Sequence, residues 1–298
     1  MLQKFNPKNE SIKVYIDGEL LPRNEAKVSV FDSVVQGGDA VWEGIRVYNG
    51  KVFCMTEHLQ RLLDSAHALA FTNIPDMKTL KTALFMTLKA NNMTDGVHVR
   101  LTLTRGLKTT SGMDPRLNQF GPTLIILAEW KPPVYPPSIT LTTATTRRNS
   151  PSTLDSKIHH ANLINNILAK IQSNLAGTDA ALMLDLYGYV SEANGTNIFM
   201  IRNGEVFTPT ADSCLHGITR ATIIRLCKEH EIPITERNLS LTEFYTADQV
   251  FVTGTMGELT PVNAIDGRAI INKSEIDMFD RINGLFSELT QTKGEPIS

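Results

Sequence analysis

The chain has 298 residues, 42% of them apolar and 20% charged. At about 150 residues per domain this allows two domains with a sizeable core, and it excludes disorder, collagen and a disulfide-stapled miniprotein. Lys plus Arg (29) nearly balance Asp plus Glu (31), and the formal net charge of −2 offers no basic field to attract nucleic acid or an anionic membrane.

In chain order, Asp17-Gly18 after Val14-Tyr-Ile16 predicts a hairpin, and Asn49-Gly50 predicts a second, because both loop positions tolerate positive φ. Thr56 is placed as the N-cap of a helix whose apolar side is Leu59, Leu62, Leu63, Ala66 and Leu69, with Glu57 at its positive end. Leu80, Leu84 and Leu88 mark another amphipathic helix. The run Leu124–Ala128 is apolar but far short of the roughly 20 residues needed to cross a membrane. The proline-dense stretch Lys131–Pro137 reads as a semi-rigid connector. After it, Ile139–Thr146 predicts a strand, and Leu163, Ile164, Ile167, Leu168 and Ile171 a helix. Asn203-Gly204 and Asp266-Gly267 predict two more hairpins, flanking a helix with Ile223, Ile224 and Cys227. Hairpins and helices in both halves give an α+β fold with two domains, 1–131 and 138–298, joined by 132–137.

Cys54, Cys214 and Cys227 are scattered and form no C-x-x-C pair, which fits a reducing, cytoplasmic compartment, as does the lack of a signal-length apolar segment near Met1. Phosphate-loop, dinucleotide-binding, zinc-protease and serine-hydrolase motifs are missing from the sequence. His159 and His160 are adjacent and diverge on any regular element, so no metal site is expected. Two segments suit an anion. Leu215-His-Gly-Ile-Thr-Arg220 leads into a helical pattern whose first N–H groups would be free, and Val252-Thr-Gly-Thr-Met-Gly257 ends a strand with small hydroxyls and glycines. An ordinary threonine cap and an ordinary turn are the alternative readings.

Six segments are jointly more specific: Gly44-Ile-Arg-Val-Tyr48, Glu57-His-Leu-Gln-Arg61-Leu62, Ser156-Lys157, Gly188-Tyr-Val-Ser-Glu192-Ala-Asn-Gly-Thr-Asn197, Gly217-Ile-Thr-Arg220 and Gly254-Thr-Met-Gly-Glu-Leu-Thr-Pro261. In this order the chain resembles the class IV aminotransferases over roughly residues 12–270. That pyridoxal-phosphate family includes the branched-chain-amino-acid and D-amino-acid aminotransferases. The resemblance implies the two-domain fold type IV, with a small N-terminal α/β domain, a larger C-terminal cofactor domain and a homodimer.

Residue by residue, the resemblance makes Lys157 the lysine that joins the cofactor aldehyde and then carries a proton, a role for which burial and a nearby cation would lower its pKa. It makes Glu192 the carboxylate facing the pyridine nitrogen. Arg61 matches the phosphate-binding arginine, although its place off the apolar stripe equally suits a solvated helix face. Gly217, Ile218, Thr219, Gly254 and Thr255 would complete the phosphate cradle, and Leu215 would pack on the ring.

Trp42, Gly44 and Met256 are the implied substrate neighbours. Arg100 matches an active-site arginine of branched-chain enzymes, and Arg105 matches the carboxylate-binding arginine of D-amino-acid enzymes, so both remain candidates. The chain departs from the branched-chain pattern in carrying Gly37 and Asn162 where tyrosines stand around the pocket. The implied activity is transamination between an amino acid, with branched-chain L-amino acids first, and a 2-oxo acid such as 2-oxoglutarate. D-amino-acid transamination, an aminodeoxychorismate-lyase-like activity and noncatalytic binding of a phosphorylated metabolite are the alternatives.

Overall fold

The computed structural model describes residues 3–273 and 277–297, which fall into two compact units. The chain leaves the N-terminal unit at Pro132, returns to it for Ile158–Asn162, and returns again from Thr290 onward; Pro133–Lys157 and Leu163–Leu289 form the other unit.

The N-terminal unit contains β1 (Lys13–Ile16), β2 (Glu19–Pro22), α1 (Ser33–Gly37), β3 (Ala40–Tyr48), β4 (Lys51–Val52), α2 (Met55–Ala68), α3 (Met77–Ala90), β5 (Val97–Thr104) and β6 (Leu124–Trp130). Its sheet runs β4-β3-β5-β6-β1-β2, every pair antiparallel, with Glu295–Pro296 added beside β4. Alternation sends Val41, Ile45 and Val47 of β3 and Val97, Val99, Leu101 and Leu103 of β5 to one face. There they meet Leu59, Leu62 and Ala66 of α2 and Leu80, Leu84 and Leu88 of α3 in one core. The edge of β3 that β4 does not reach is paired by residues 159–161: Trp42 N–H donates to the His159 carbonyl, and Ala161 N–H to that of Ala40.

The C-terminal unit contains β7 (Ile139–Thr143), α4 (Ile164–Leu175), β8 (Ala180–Leu184), β9 (Val190–Ala193), β10 (Asn197–Arg202), β11 (Glu205–Thr208), α5 (Ile218–Glu229), β12 (Ile234–Glu236), α6 (Leu241–Tyr245), β13 (Gln249–Gly254), β14 (Glu258–Ile265), β15 (Arg268–Ala269) and α7 (Met278–Thr292). Its mixed sheet is ordered β12-β11-β10-β13-β14-β7-β8-β9, with β15 on β14. Leu141, Leu182, Ile198, Val250, Val252 and Val262 fill a core closed by Phe244 of α6. The α+β class read from the sequence is therefore the observed one.

All eight residues of the four expected tight turns, Asp17-Gly18, Asn49-Gly50, Asn203-Gly204 and Asp266-Gly267, have positive φ and join antiparallel strands. One local expectation fails, and one helix is oriented in a way its periodicity left open. The N-cap of α2 is Cys54 at φ 48°, not Thr56, whose hydroxyl instead donates to Glu295 at 2.6 Å. In α4 the apolar stripe points outward, leaving Ile164, Ile167, Leu168, Ile171 and Leu175 exposed. That helix is seated by its small face, where Ala169 packs with Ala144, Ala181 and Met183. Small side chains let backbone and sheet approach closely, so the bulky stripe has no room beneath it.

Leu62 is fully buried between α2 and the sheet. Leu62→Ala is expected to cost about 2–5 kcal/mol through lost burial and the cavity left behind, read as a lower urea midpoint.

Candidate active site

In the C-terminal unit the loop from Asp212 to Gly217 gathers the residues singled out by the sequence. Its main-chain carbonyls accept hydrogen bonds in turn. Lys157 Nζ donates to Asp212 O at 3.1 Å, Ser191 Oγ to Ser213 O at 3.0 Å, and Asn197 Nδ2 to Leu215 O at 3.0 Å. Lys157 also donates to Asp155 Oδ1 at 3.2 Å, and its side chain is 36% exposed. It is more open to solvent than its expected role suggested, because a carboxylate and a carbonyl hold its ammonium at the rim.

Glu192 is the buried group of this cluster. It lies on the four-residue strand β9, all of which is buried. One carboxylate oxygen accepts from Arg148 Nε at 2.5 Å and the other from Asn197 Nδ2 at 3.2 Å, while the Leu215 backbone adds a further hydrogen bond. Burial pushes the Glu192 carboxyl up from its ordinary value, against the pull of the Arg148 charge. Beside it, burial and the Glu192 charge push the Cys214 thiol up to about 12, so that cysteine is an inert wall.

The same loop ends at the start of α5. Its N-cap is Gly217 in extended geometry with no side-chain cap, so the first amides of Ile218 and Thr219 lack a capping side chain. A Cβ at Gly217 would collide with Asn197 Oδ1, which ties the helix start to the Glu192 cluster. Gly254 ends β13 with a Cβ direction only 3.0 Å from Thr196 Cγ2, next to Asn197 in sequence. Thr255 and Met256 form the following turn, and Met256 O accepts from Val134 N–H at 2.9 Å. Lys157, Glu192, Leu215, Gly217, Ile218, Thr219 and Gly254 are thus linked by short contacts within one unit.

In the N-terminal unit, Glu43 lies on the core side of β3, in line with Val41 and Ile45, directly under α2. Arg61 donates to it through Nε at 2.7 Å and Nη2 at 2.7 Å, and His58 and His159 meet it at 2.6 and 3.0 Å. Burial works to raise the Glu43 carboxyl, yet His159 and Arg61 hold it well below the usual range. Arg61 is therefore a fixed fork on a buried carboxylate and not a solvated helix charge. His159, pushed down to about 4 by burial against the pull of Glu43, lies tilted against the Trp42 ring at 4.1 Å.

The opposite face of β3 and β5 carries Trp42, Gly44, His98 and Arg100, with Gly44 paired to Arg100. Arg100 lies flat over the Trp42 ring at 3.5 Å, and burial brings its pKa down to about 10, so it remains charged. Among the described residues no hydrogen bond or ion pair holds its donors. Arg105, just beyond β5, is engaged: Nε meets Asp39 at 2.5 Å, Nη2 donates to Asp39 at 3.2 Å and to Leu69 O at 2.8 Å, and Nη1 reaches Ala70 O. Gly44 leaves space for the His98 ring, whose Nε2 would sit 3.0 Å from an added Cβ. Gly37 has open space around it, and Asn162 lies against Gly38, so the two missing tyrosines fall in one neighbourhood.

Sequence reasoning missed Arg148, Asn197, Glu43 and His159 as members of these clusters. Asn197 stood inside a quoted motif, Glu43 immediately before another, and His159 stood in the histidine pair. Arg148 had no signal, because an arginine becomes buried only when the fold brings a carboxylate to it. Among the described residues, no group of His, Cys, Asp and Glu could hold a metal ion, and no helix is long and apolar enough to cross a membrane.

Residues 40–265 match the family model of Amino-transferase class IV, and the chain belongs to that family. It is 57% identical over 98% of its length to branched-chain-amino-acid aminotransferase-like protein 2 of Arabidopsis thaliana, of which it covers 52%. The chain thus spans about half the length of that plant relative. It is 31% identical to the branched-chain-amino-acid aminotransferase of Pseudomonas aeruginosa, covering 95% of this chain and 94% of that one. Among solved structures, the T.th. branched-chain amino acid aminotransferase complexed with N-(5'-phosphopyridoxyl)-L-glutamate superposes with a TM-score of 0.86 at 29% identity, covering 94% of each chain. Within class IV, these similarities assign the chain to the branched-chain aminotransferase family.

His98 is 7% exposed, and burial together with the charges of Lys131, Arg46, Arg100 and His58 pushes its pKa down to about 3. An unfolded imidazole binds a proton below about pH 6.5, whereas the folded one does so only near 3. Its contribution is therefore complete above pH 6.5 and is lost as the pH falls from there, at up to about 1.4 kcal/mol per pH unit. Urea midpoints measured between pH 7 and 4 are expected to fall less steeply for His98→Gln than for the unaltered chain.

Proposed function

We propose that the protein is a pyridoxal-phosphate-dependent transaminase that moves an amino group from a branched-chain L-amino acid to a 2-oxo acid such as 2-oxoglutarate. The donor set suits that cofactor. The uncapped start of α5 offers amides to a phosphate, and the buried Glu192 carboxylate offers a counter-charge to a protonated ring nitrogen. When bound, the cofactor supplies an electron sink for the bond broken at the substrate carbon. Lys157 would join it covalently and carry the proton, Glu192 would face the ring nitrogen, and Leu215 would pack on the ring. Ile218, Thr219, Gly254 and Thr255 would hold the phosphate, whereas Arg61, bound to Glu43 through Nε and Nη2, is left out of this set. The solved T.th. complex with N-(5'-phosphopyridoxyl)-L-glutamate supports both this cofactor and a glutamate/2-oxoglutarate partner.

One observation carries the choice of substrate. Arg105 spends four of its five N–H donors on Asp39, Leu69 and Ala70, whereas Arg100 presents unclaimed donors beside Trp42. A carboxylate needs an arginine with donors to spare, so Arg100 is the recognition residue and Arg105 is structural. This favours the branched-chain reading over the D-amino-acid reading, which depended on Arg105. Trp42 and Gly44 would form an apolar wall for the substrate side chain. The space around Gly37 and Asn162 makes the pocket roomier than one lined by tyrosines. A homodimer belongs to the same reading, and the outward stripe of α4 supplies apolar surface for a second copy.

Purified protein loaded with pyridoxal phosphate is expected to turn over L-leucine with 2-oxoglutarate, and Lys157→Ala to abolish both turnover and the borohydride-fixed adduct. Arg100→Met should raise KM for the 2-oxo acid by about 10-fold or more, consistent with losing a charge-assisted bond. Arg105→Met should chiefly lower the urea midpoint. Turnover of D-alanine alone, or cofactor binding without an adduct, would remove this assignment.

A further inference from the structure

Glu192 is almost wholly desolvated, and a buried carboxylate keeps its charge only with a cation or several donors against it. Two arginines are near enough to act on it electrostatically, Arg148 and Arg220. Arg220 is already spent, its Nη2 donating to Glu236 at 2.7 Å and to Pro209 O at 2.8 Å. Of the two arginines Arg148 is the one hydrogen-bonded to the carboxylate, through Nε at 2.5 Å, and both side chains of that pair are 6% exposed.

Arg148 is itself held from behind. Its Nη1 reaches Asn165 Oδ1 at 3.3 Å, Asn165 returns a hydrogen bond to Arg147 O at 2.8 Å, and Arg148 N–H donates to Leu184 O at 2.9 Å. Ser156 Oγ donates to Asn149 O at 2.7 Å, which closes the short loop carrying Arg148 at one end and Lys157 at the other. Swinging the guanidinium away from the carboxylate would also break its Nη1 bond to Asn165.

Resting on the transaminase reading, we propose that Arg148 is a positioning residue: it supplies the buried counter-charge for Glu192 and fixes which carboxylate edge remains for the cofactor's ring nitrogen. Arg148 Nε takes one oxygen, and Asn197 Nδ2, bound on its other side to Leu215 O, orients the second. With Arg148 removed, the desolvated carboxyl takes up a proton and no longer balances a protonated ring. A neutral Glu192 donates a hydrogen bond where an anion should accept one.

Four variants test this: Arg148→Met, Arg148→Lys, Glu192→Gln and the double variant Arg148→Met/Glu192→Gln. Without cofactor, Arg148→Met should lower the urea midpoint, and Glu192→Gln in the same chain should recover most of the loss, because the unpaired buried charge has gone. A loss that persists in the double variant overturns the counter-charge role, and this comparison holds even if Arg148→Met alone folds poorly. With pyridoxal phosphate, Arg148→Met should still yield the borohydride-fixed adduct at Lys157. The pH midpoint of the bound cofactor's absorbance should move by about one unit, and the single-turnover rate with L-leucine should fall about 10–100-fold, the range seen when a group that orients a functional ligand is lost. Arg148→Lys should restore much of both, and the double variant should react no more slowly than Glu192→Gln. An unmoved absorbance midpoint, or rate losses that multiply in the double variant, would reject the proposal. If even the unaltered protein traps no adduct, the transaminase reading falls, while the urea comparison still decides the Arg148–Glu192 pairing.

Discussion

A carboxylate stripped of water is the constraint around which the C-terminal unit is organised. Glu192 lies on a fully buried strand, where an isolated charge would cost several kcal/mol or be lost to protonation. Arg148, Asn197 and the Leu215 backbone meet it from separate directions, and each is tied to something further out. Because Asn197 and Leu215 also define the approach to α5, the charge and the helix start are parts of one rigid construction.

The N-terminal unit repeats the logic with Glu43. Strand alternation turns it toward α2, where apolar neighbours leave room only for the groups that bind it. Arg61, His58 and His159 converge on the one carboxylate, so a change at any of them is felt by the others. On the other face of the same strands, Arg100 stands charged over the Trp42 ring, with no hydrogen bond to an acid among the described residues. The sheet therefore separates an arginine locked by a buried acid from an arginine laid over an indole ring.

Much of the fold was legible because local chemistry reports local geometry. Asn-Gly and Asp-Gly pairs demanded positive φ and obtained it at every expected turn. Periodicity likewise found α2, α3 and the apolar side of α4, but it could not tell whether anything covers that side. It showed which residues of α4 share a face, and packing by Ala169 turned that face outward. Thr56 was misplaced for a related reason, since its partner Glu295 lies at the far end of the chain. The arginines show the same limit. Arg100 and Arg105 sit on one stretch of sequence, and only Asp39, brought from another strand end, separates their roles. The family motifs supplied Lys157, Glu192 and Arg61, whereas Arg148 and His159 acquire meaning only when distant segments meet.

The loop that assembles the C-terminal cluster does so with its main chain. Lys157, Ser191 and Asn197 all donate to carbonyls, at Asp212, Ser213 and Leu215, and α5 begins with bare amides. Carbonyls and amides are common to every amino acid, so descendants of this protein can exchange the side chains at 212 and 213 and keep the scaffold. Gly217 has no such latitude, since any substituent there runs into Asn197. Evolution is thereby free to repaint the rim of this loop while its frame stays inherited.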